Sequence, residues 1–303
     1  MRLISLFWLA STFSTQEGPA LTAQTTDAAI LVRRGERELL GYQRIRPAES
    51  KLSVDSACYF HPLATPKGIV ITDVAPDDHK HHRGLFLAWV EMHGRKDADF
   101  WGWGQFAPKD KRQIVNREVN NLKGGKKVSF QVKNDWLADG DTILKEDLQA
   151  SVGVEGEATV LDLTYTLTAD ADLTISKWAF SGFCLRMRKD GKAEVHGPDG
   201  LVHLAAPNHM KPETDWPAAP WYGYSLTLPD GSMVGGAVID HPKNPPSLWH
   251  NAASIRMLNP AIMAPKEVVI KAGEPLLLKY RVVAHDGPTP KEQINRLAGD
   301  WAR

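Results

Sequence analysis

The densest chemistry in the chain is the run Asp77-Asp78-His79-Lys80-His81-His82-Arg83-Gly84. Three imidazoles, two carboxylates and a guanidinium packed so closely are costly to bury without partners. Neutral imidazole takes up and releases protons near pH 7, so His79, His81 and His82 read as acid/base candidates. In an extended segment His79 and His81 point one way and His82 the other. That spacing also suits chelation of a divalent metal ion by His79 and His81. A third ligand would then come from Glu91, His93, His241 or His250, because Leu85 and Phe86 stand where a cupin pattern needs its Glu. The plainer reading is a solvated charged loop.

Downstream, Leu85, Leu87, Trp89, Glu91 and His93 alternate as one face of a strand. Glu91 among apolar neighbours would have its pKa raised and would suit proton transfer; the alternative is a strand end paired with Arg95. Phe100-Trp101-Gly102-Trp103-Gly104 sets two indoles on one side, either a platform for a pyranose ring or a core aromatic cluster. A second polar block runs from Asp240-His241-Pro242-Lys243-Asn244-Pro245-Pro246 through Trp249-His250 to Arg256 and Asn259. Asn244, Arg256 and Asn259 beside Trp249 would read hydroxyls or a carboxylate, with Arg83 as a further orienting group and His250 as a further acid/base group. His196, His203, His209 and His285 are isolated and read as structural. No G-x-S-x-G elbow, P-loop, G-x-G-x-x-G, H-E-x-x-H or C-x-x-C occurs.

Short strands must position these blocks. Leu161 to Thr168 alternates strictly, placing Leu161, Leu163, Tyr165 and Leu167 on one buried face. Val128–Val132 and Leu148–Val154 read as further strands. Trp221–Leu228 and Met233–Ile239 flank a Pro229-Asp230-Gly231-Ser232 turn, and a second hairpin is expected from Val268–Ile270 to Leu276–Ala284 across Ala272-Gly273-Glu274. One helix is signalled, at the C-terminus: Thr289-Pro290-Lys291-Glu292 has capping-box spacing, with Ile294, Leu297 and Trp301 at helical intervals. The expectation is an all-β antiparallel sandwich, one domain over residues 24–303, with a C-terminal helix.

The runs APDDHKHHRGLFLAWVEMHGRKDADFW and GGAVIDHPKNPPSLWHNAASIRMLNP resemble a bacterial family catalogued as "methane oxygenase PmoA-like". Its members read D-H-P-H-H-R-G-L, then D-H-P-x-N and P-x-x-W-H; this chain departs with Lys80 in place of Pro and Ser247-Leu248 before Trp249. The resemblance spans roughly residues 29–287 and implies a secreted β-rich protein, with a galactose-mutarotase-like supersandwich as the fold it suggests. Its label implies a copper or iron oxygenase. A true methane oxygenase subunit of that name spans the membrane repeatedly, however, and no run here approaches 18 consecutive apolar residues.

Composition narrows the field. Lys and Arg total 36 against 36 Asp and Glu, which argues against a nucleic-acid partner. Five of the 11 His (His79, His81, His82, His241 and His250) fall in the two polar blocks, and of the 10 Trp, Trp89, Trp101, Trp103 and Trp249 fall in or beside them. Residues 1–23 read as a signal peptide, with Arg2, an apolar stretch from Leu3 to Phe13 and a small-residue site at Ala23, so a periplasmic or secreted setting is expected. The alternative is a cytosolic protein with an apolar first strand. Cys58 and Cys184 would form a bridge or remain buried thiols. The function expected is a sugar-active enzyme of lyase, epimerase or hydrolase type, acting on a small molecule or oligosaccharide. The rivals are a non-catalytic carbohydrate binder stacking on Trp101, Trp103 and Trp249, and a metal-dependent oxygenase.

Overall fold

The computed structural model describes residues 20–303; the expected signal segment lies outside these residues as far as position 19. Its last residues, Leu21 to Ala23, belong to strand Leu21–Thr25, with Leu21 buried. A cut after Ala23 would remove three of that strand's five residues.

Apolar residues at every second position give strands such as Lys127–Ala138 and Ala158–Thr168 one greasy face, while central strands such as Leu85–Ala88 and Gly182–Arg186 are buried on both. Burying these faces drives two sheets together. The longer sheet has nine strands in the order Gly200–Leu201, Lys192–Gly197, Trp221–Thr227, Met233–Asp240, Leu276–Asp286, Ala158–Thr168, Asp141–Glu155, Lys127–Ala138 and Arg112–Lys123. The seven-stranded sheet runs Leu21–Thr25, Ala29–Arg34, Arg37–Gln43, Tyr59–Leu63, Leu85–Ala88, Gly182–Arg186 and Met257–Leu258. Every pairing is antiparallel, as in the expected sandwich class. Across the interior Phe183 stacks on Tyr280 at 4.0 Å, and the Tyr42 hydroxyl accepts from Asn134 Nδ2 at 2.9 Å. Leu161, Leu163, Tyr165 and Leu167 are all buried, as their alternation predicts.

The Trp221–Thr227/Met233–Asp240 hairpin forms as expected. The second expected hairpin does not. Val268–Ile270 leaves to pair with Leu173–Ile175 in a three-stranded sheet, while Leu276–Asp286 enters the long sheet between Ala158–Thr168 and Met233–Asp240. Asp172 holds that departure, accepting from Lys271 Nζ at 2.7 Å and from Ala272 N at 2.9 Å.

The helix, Lys291–Ala302, packs Ile294 and Leu297 on the outer face of the long sheet, against Trp221, Ala237, Ile239 and Val283. Its capping box is not made: Pro290 is the N-cap, no side chain caps the first turn, and Thr289 Oγ1 is buried without a partner. Cys58 and Cys184 are free thiols.

Candidate functional site

The histidine run is turned, not extended. His79 N donates to Pro76 O at 3.0 Å and His82 N to His79 O at 2.9 Å, just before the bridge between Val74 and Arg83. Turning the chain abolishes strand parity, so all three imidazoles gather on one side. Their ring centroids lie 4.7 Å apart for His79 and His82, 4.6 Å for His81 and His82, and 5.7 Å for His79 and His81. Gly102 makes room for this: at φ +107° it adopts a conformation few L-residues tolerate, and a β-carbon there would collide with the Val54 methyl and the His81 β-carbon.

His82 is fully buried, and its Nδ1 lies 3.2 Å from Nη1 of the equally buried Arg186. A guanidinium only donates, so Nδ1 must accept and the ring proton sits on Nε2. Arg186 also donates to Asp78 Oδ1 at 3.0 Å, and Lys189 Nζ donates to Asp78 Oδ2 at 2.5 Å. Burial works against the ionised Asp78 carboxyl, but Lys189 and Arg186 outweigh it and hold it well below the ordinary carboxylate range. Burial pushes all three imidazoles down, His81 to about 3, so the cluster is neutral at physiological pH.

The facing group is His250. A short antiparallel bridge joins Trp216 to Trp249, their amides and carbonyls paired at 2.9 Å in both directions, which makes Asp215 and His250 cross-strand neighbours. His250 Nδ1 and Asp215 Oδ1 are 2.6 Å apart, with side chains 5% and 0% exposed. Burial raises the Asp215 pKa, and its hydrogen bond to His250 opposes that rise.

Both halves line one cavity of about 280 Å³, together with Trp101, Trp103, Phe180 and His209. Trp101 and Phe180 bridge them: the Trp101 ring lies 5.4 Å from His82 and 5.7 Å from Phe180, which lies 5.5 Å from His250. No Asp or Glu is among the described residues of this wall.

The cavity therefore gathers His79, His81, His82, Trp101, Trp103 and His250 of the expected site, and leaves out the rest. Arg83 is buried behind the wall, donating to the carbonyls of His81 and Phe100 and lying 4.4 Å over the Phe86 ring. Glu91 is not on a continuous strand, because Leu85–Ala88 ends before it; it binds His93 Nε2 at 2.7 Å and Trp178 Nε1 at 2.5 Å outside the cavity. Trp249 is a core residue, fully buried against Tyr222. Arg256 has a left-handed backbone and donates to Ala253 O within its own turn, while Ile255 and Met257 reach the cavity wall. Asn244 clamps a loop to its neighbouring strand, donating to Asp240 Oδ1 at 2.6 Å and Lys279 O at 2.8 Å and accepting from Lys279 N at 2.8 Å. It lines a different cavity, of about 690 Å³, with Asp240, His241 and Pro242 beside the C-terminal helix. The second polar block thus divides between two places.

The donor set does not fit the expected metal. Among the described residues no group of three or more His, Cys, Asp or Glu side chains is placed to hold an ion, and His82 Nδ1 is already occupied by Arg186. Asp215, Arg186, Phe180 and His209 escape sequence reasoning. Asp215 lies among Glu213-Thr214-Asp215-Trp216 with no local signal, and only the Trp216–Trp249 bridge brings it to His250.

Residues 29–299 match a family model described as "Family of unknown function (DUF6807)". The chain belongs to that family. A comparison with curated proteins finds no match. Among solved structures, the chain is similar to an alpha-galactosidase from Lactobacillus brevis at 9% identity and a TM-score of 0.43, covering 90% of this chain and 40% of that one. It is also similar to a galactose mutarotase related enzyme from Lactobacillus acidophilus (9% identity, TM-score 0.39, 88% of this chain and 97% of that one). A third is heparan sulfate lyase HepC from Pedobacter heparinus (11% identity, TM-score 0.36, 89% of this chain and 36% of that one). The chain thus spans well under half the length of the galactosidase and the lyase.

Proposed function

We propose that the cavity binds one sugar unit and moves a proton on it, with His250 as the base and Asp215 as its positioning partner. The observation that carries this reading is the Asp215–His250 pair at 2.6 Å, set in the same cavity as three neutral imidazoles. Because Asp215 engages Nδ1, the base on offer is Nε2, and the carboxylate stabilises the imidazolium that forms when it takes a proton. His82, with Nε2–H fixed by Arg186, supplies a hydrogen-bond donor from the histidine cluster. The indoles of Trp101 and Trp103 and the ring of Phe180 offer apolar faces of the kind that suit a pyranose. The volume is just under the ligand-pocket range of roughly 300–1,000 Å³, so a single sugar residue fits better than a stretch of chain.

Two-carboxylate glycoside hydrolysis lacks its pair of acids among the described wall residues. Proton abstraction from a ring carbon suits the geometry better. The electron pair left on that carbon then either takes a proton back on the other face, inverting the centre, or forms a double bond while a substituent on the next carbon departs with a proton as an alcohol. A screen of plant and algal oligosaccharides run in D₂O tests this. Turnover should place deuterium on carbon in an epimerised product, and His250→Gln should lower the rate by roughly 10²–10⁴-fold with its circular dichroism unchanged. Full turnover by His250→Gln would overturn the reading, and so would ligand binding with no turnover on any substrate.

A further inference from the structure

From the charges around the cavity we infer that its ligand is an anionic sugar, a uronate whose carboxylate lies toward the histidine cluster. The inference rests on the proton-transfer reading and names the class of its substrate. Arg83, directly after the cluster, is fully buried, and its described hydrogen-bond partners are two carbonyls; its Nε has none. Asp99, the carboxylate whose charge it feels, is turned onto the amides of Gly102 and Gly104 at 2.7 and 2.5 Å. Burial pushes the Arg83 guanidinium down to about 10, and the charge of Asp99 opposes that fall only in part. Arg186 lies behind His82, and Lys109, packed along Gly104, adds a third cation near His81. Of the nearby carboxylates, Asp78 is shared by Arg186 and Lys189, Asp73 lies near the same two cations, and Asp99 is held by amides. Among the described residues this leaves Arg83 and Lys109 without a carboxylate hydrogen-bonded to them. Asp215 lies behind His250, in the other half of the wall.

The cavity is therefore polarised, cationic behind His81 and His82 and anionic behind His250. An anion settling at the cationic end would leave the other end of the ligand to the base. The polarity also serves the chemistry, because negative charge developing on a carbon beside a carboxylate would be met by the cationic end.

Fluorescence of Trp101 and Trp103, both in the wall, reports binding without requiring turnover. Titrations with glucuronate, its uncharged amide and glucose should show glucuronate binding at least about tenfold more tightly than either neutral sugar, equivalent to about 1.4 kcal/mol. The preference should shrink as salt rises. Lys109→Gln removes an exposed cation outside the wall and should lower the preference while leaving the fold intact. Arg83→Met should abolish it wherever the variant folds. Equal binding of the charged and neutral sugars, or a salt-independent preference, would overturn this inference and leave the proton-transfer reading standing. Failure of all three to bind would overturn both.

Discussion

Glu146 allows a quantitative test of the sandwich interior. It is 4% exposed between the sheets, and its carboxyl accepts from Asn134 Nδ2 at 2.7 Å and Trp136 Nε1 at 2.9 Å. Burial pushes its pKa from 4.5 to about 7, against the pull of those two hydrogen bonds. The folded chain thus keeps a proton that the unfolded chain releases. Its stabilising contribution is complete below pH 4.5 and is lost as pH rises through about 7. At about 1.4 kcal/mol per pKa unit the whole loss is about 3 kcal/mol. Glu146→Gln removes the titration. Its amide will meet one of the two N–H donors badly, but that penalty is the same at every pH and cancels in a double difference. Urea unfolding of both proteins at pH 4.5 and pH 8.5 should show wild type losing about 3 kcal/mol more than the variant across that interval. Asp240, pushed up to about 6 by burial, titrates in both proteins and also cancels. A double difference below about 1 kcal/mol, or one of opposite sign, would refute the reasoning.

Gly102→Ala should lower stability by about 1–3 kcal/mol through its positive φ alone, and the collision with His81 should weaken sugar binding in the fluorescence titration; unaltered binding would refute the proposed packing. Arg186→Met should cost about 1–3 kcal/mol in urea unfolding, because buried His82 Nδ1 loses its donor while Asp78 keeps Lys189. It should also free the His82 proton to exchange between ring nitrogens, visible as a change in the imidazole ¹⁵N shifts.

The fold is legible wherever burial alternates residue by residue. Leu161 to Leu167 announces itself because the strand has one buried and one wetter side, whereas the Trp221–Asp240 hairpin, buried along nearly its whole length, is announced by its Pro229-Asp230-Gly231-Ser232 turn. Val268–Ile270 is legible as a strand but not as a partner, since three residues carry too little pattern to choose a sheet and Asp172 decides the matter from far away in sequence. The candidate site is half legible for a similar reason. His79, His81 and His82 are conspicuous by type, but their facing depends on turns that the residue types do not announce. Trp249 and Trp101 are both fully buried indoles, and only one of them reaches the cavity. Asn244 and Arg256 look like ligand readers in sequence because hydrogen-bonding capacity is visible there, while the loop carbonyls that consume it are not.

The cavity wall is drawn from five separated stretches: His79 to His82, Trp101 to Trp103, Phe180, Pro207 to His209, and His250 to Met257. None of these stretches can form the wall alone, and their closest approaches span long loops whose closure is costly in entropy. Ligand binding therefore reports on completion of the whole topology. A partly folded chain can hold most of its hairpins, each made from neighbouring sequence, and still have no cavity. In a denaturant series the ligand's fluorescence signal should accordingly vanish before far-UV ellipticity does whenever unfolding proceeds in steps, so the site is the molecule's own gauge of having finished folding.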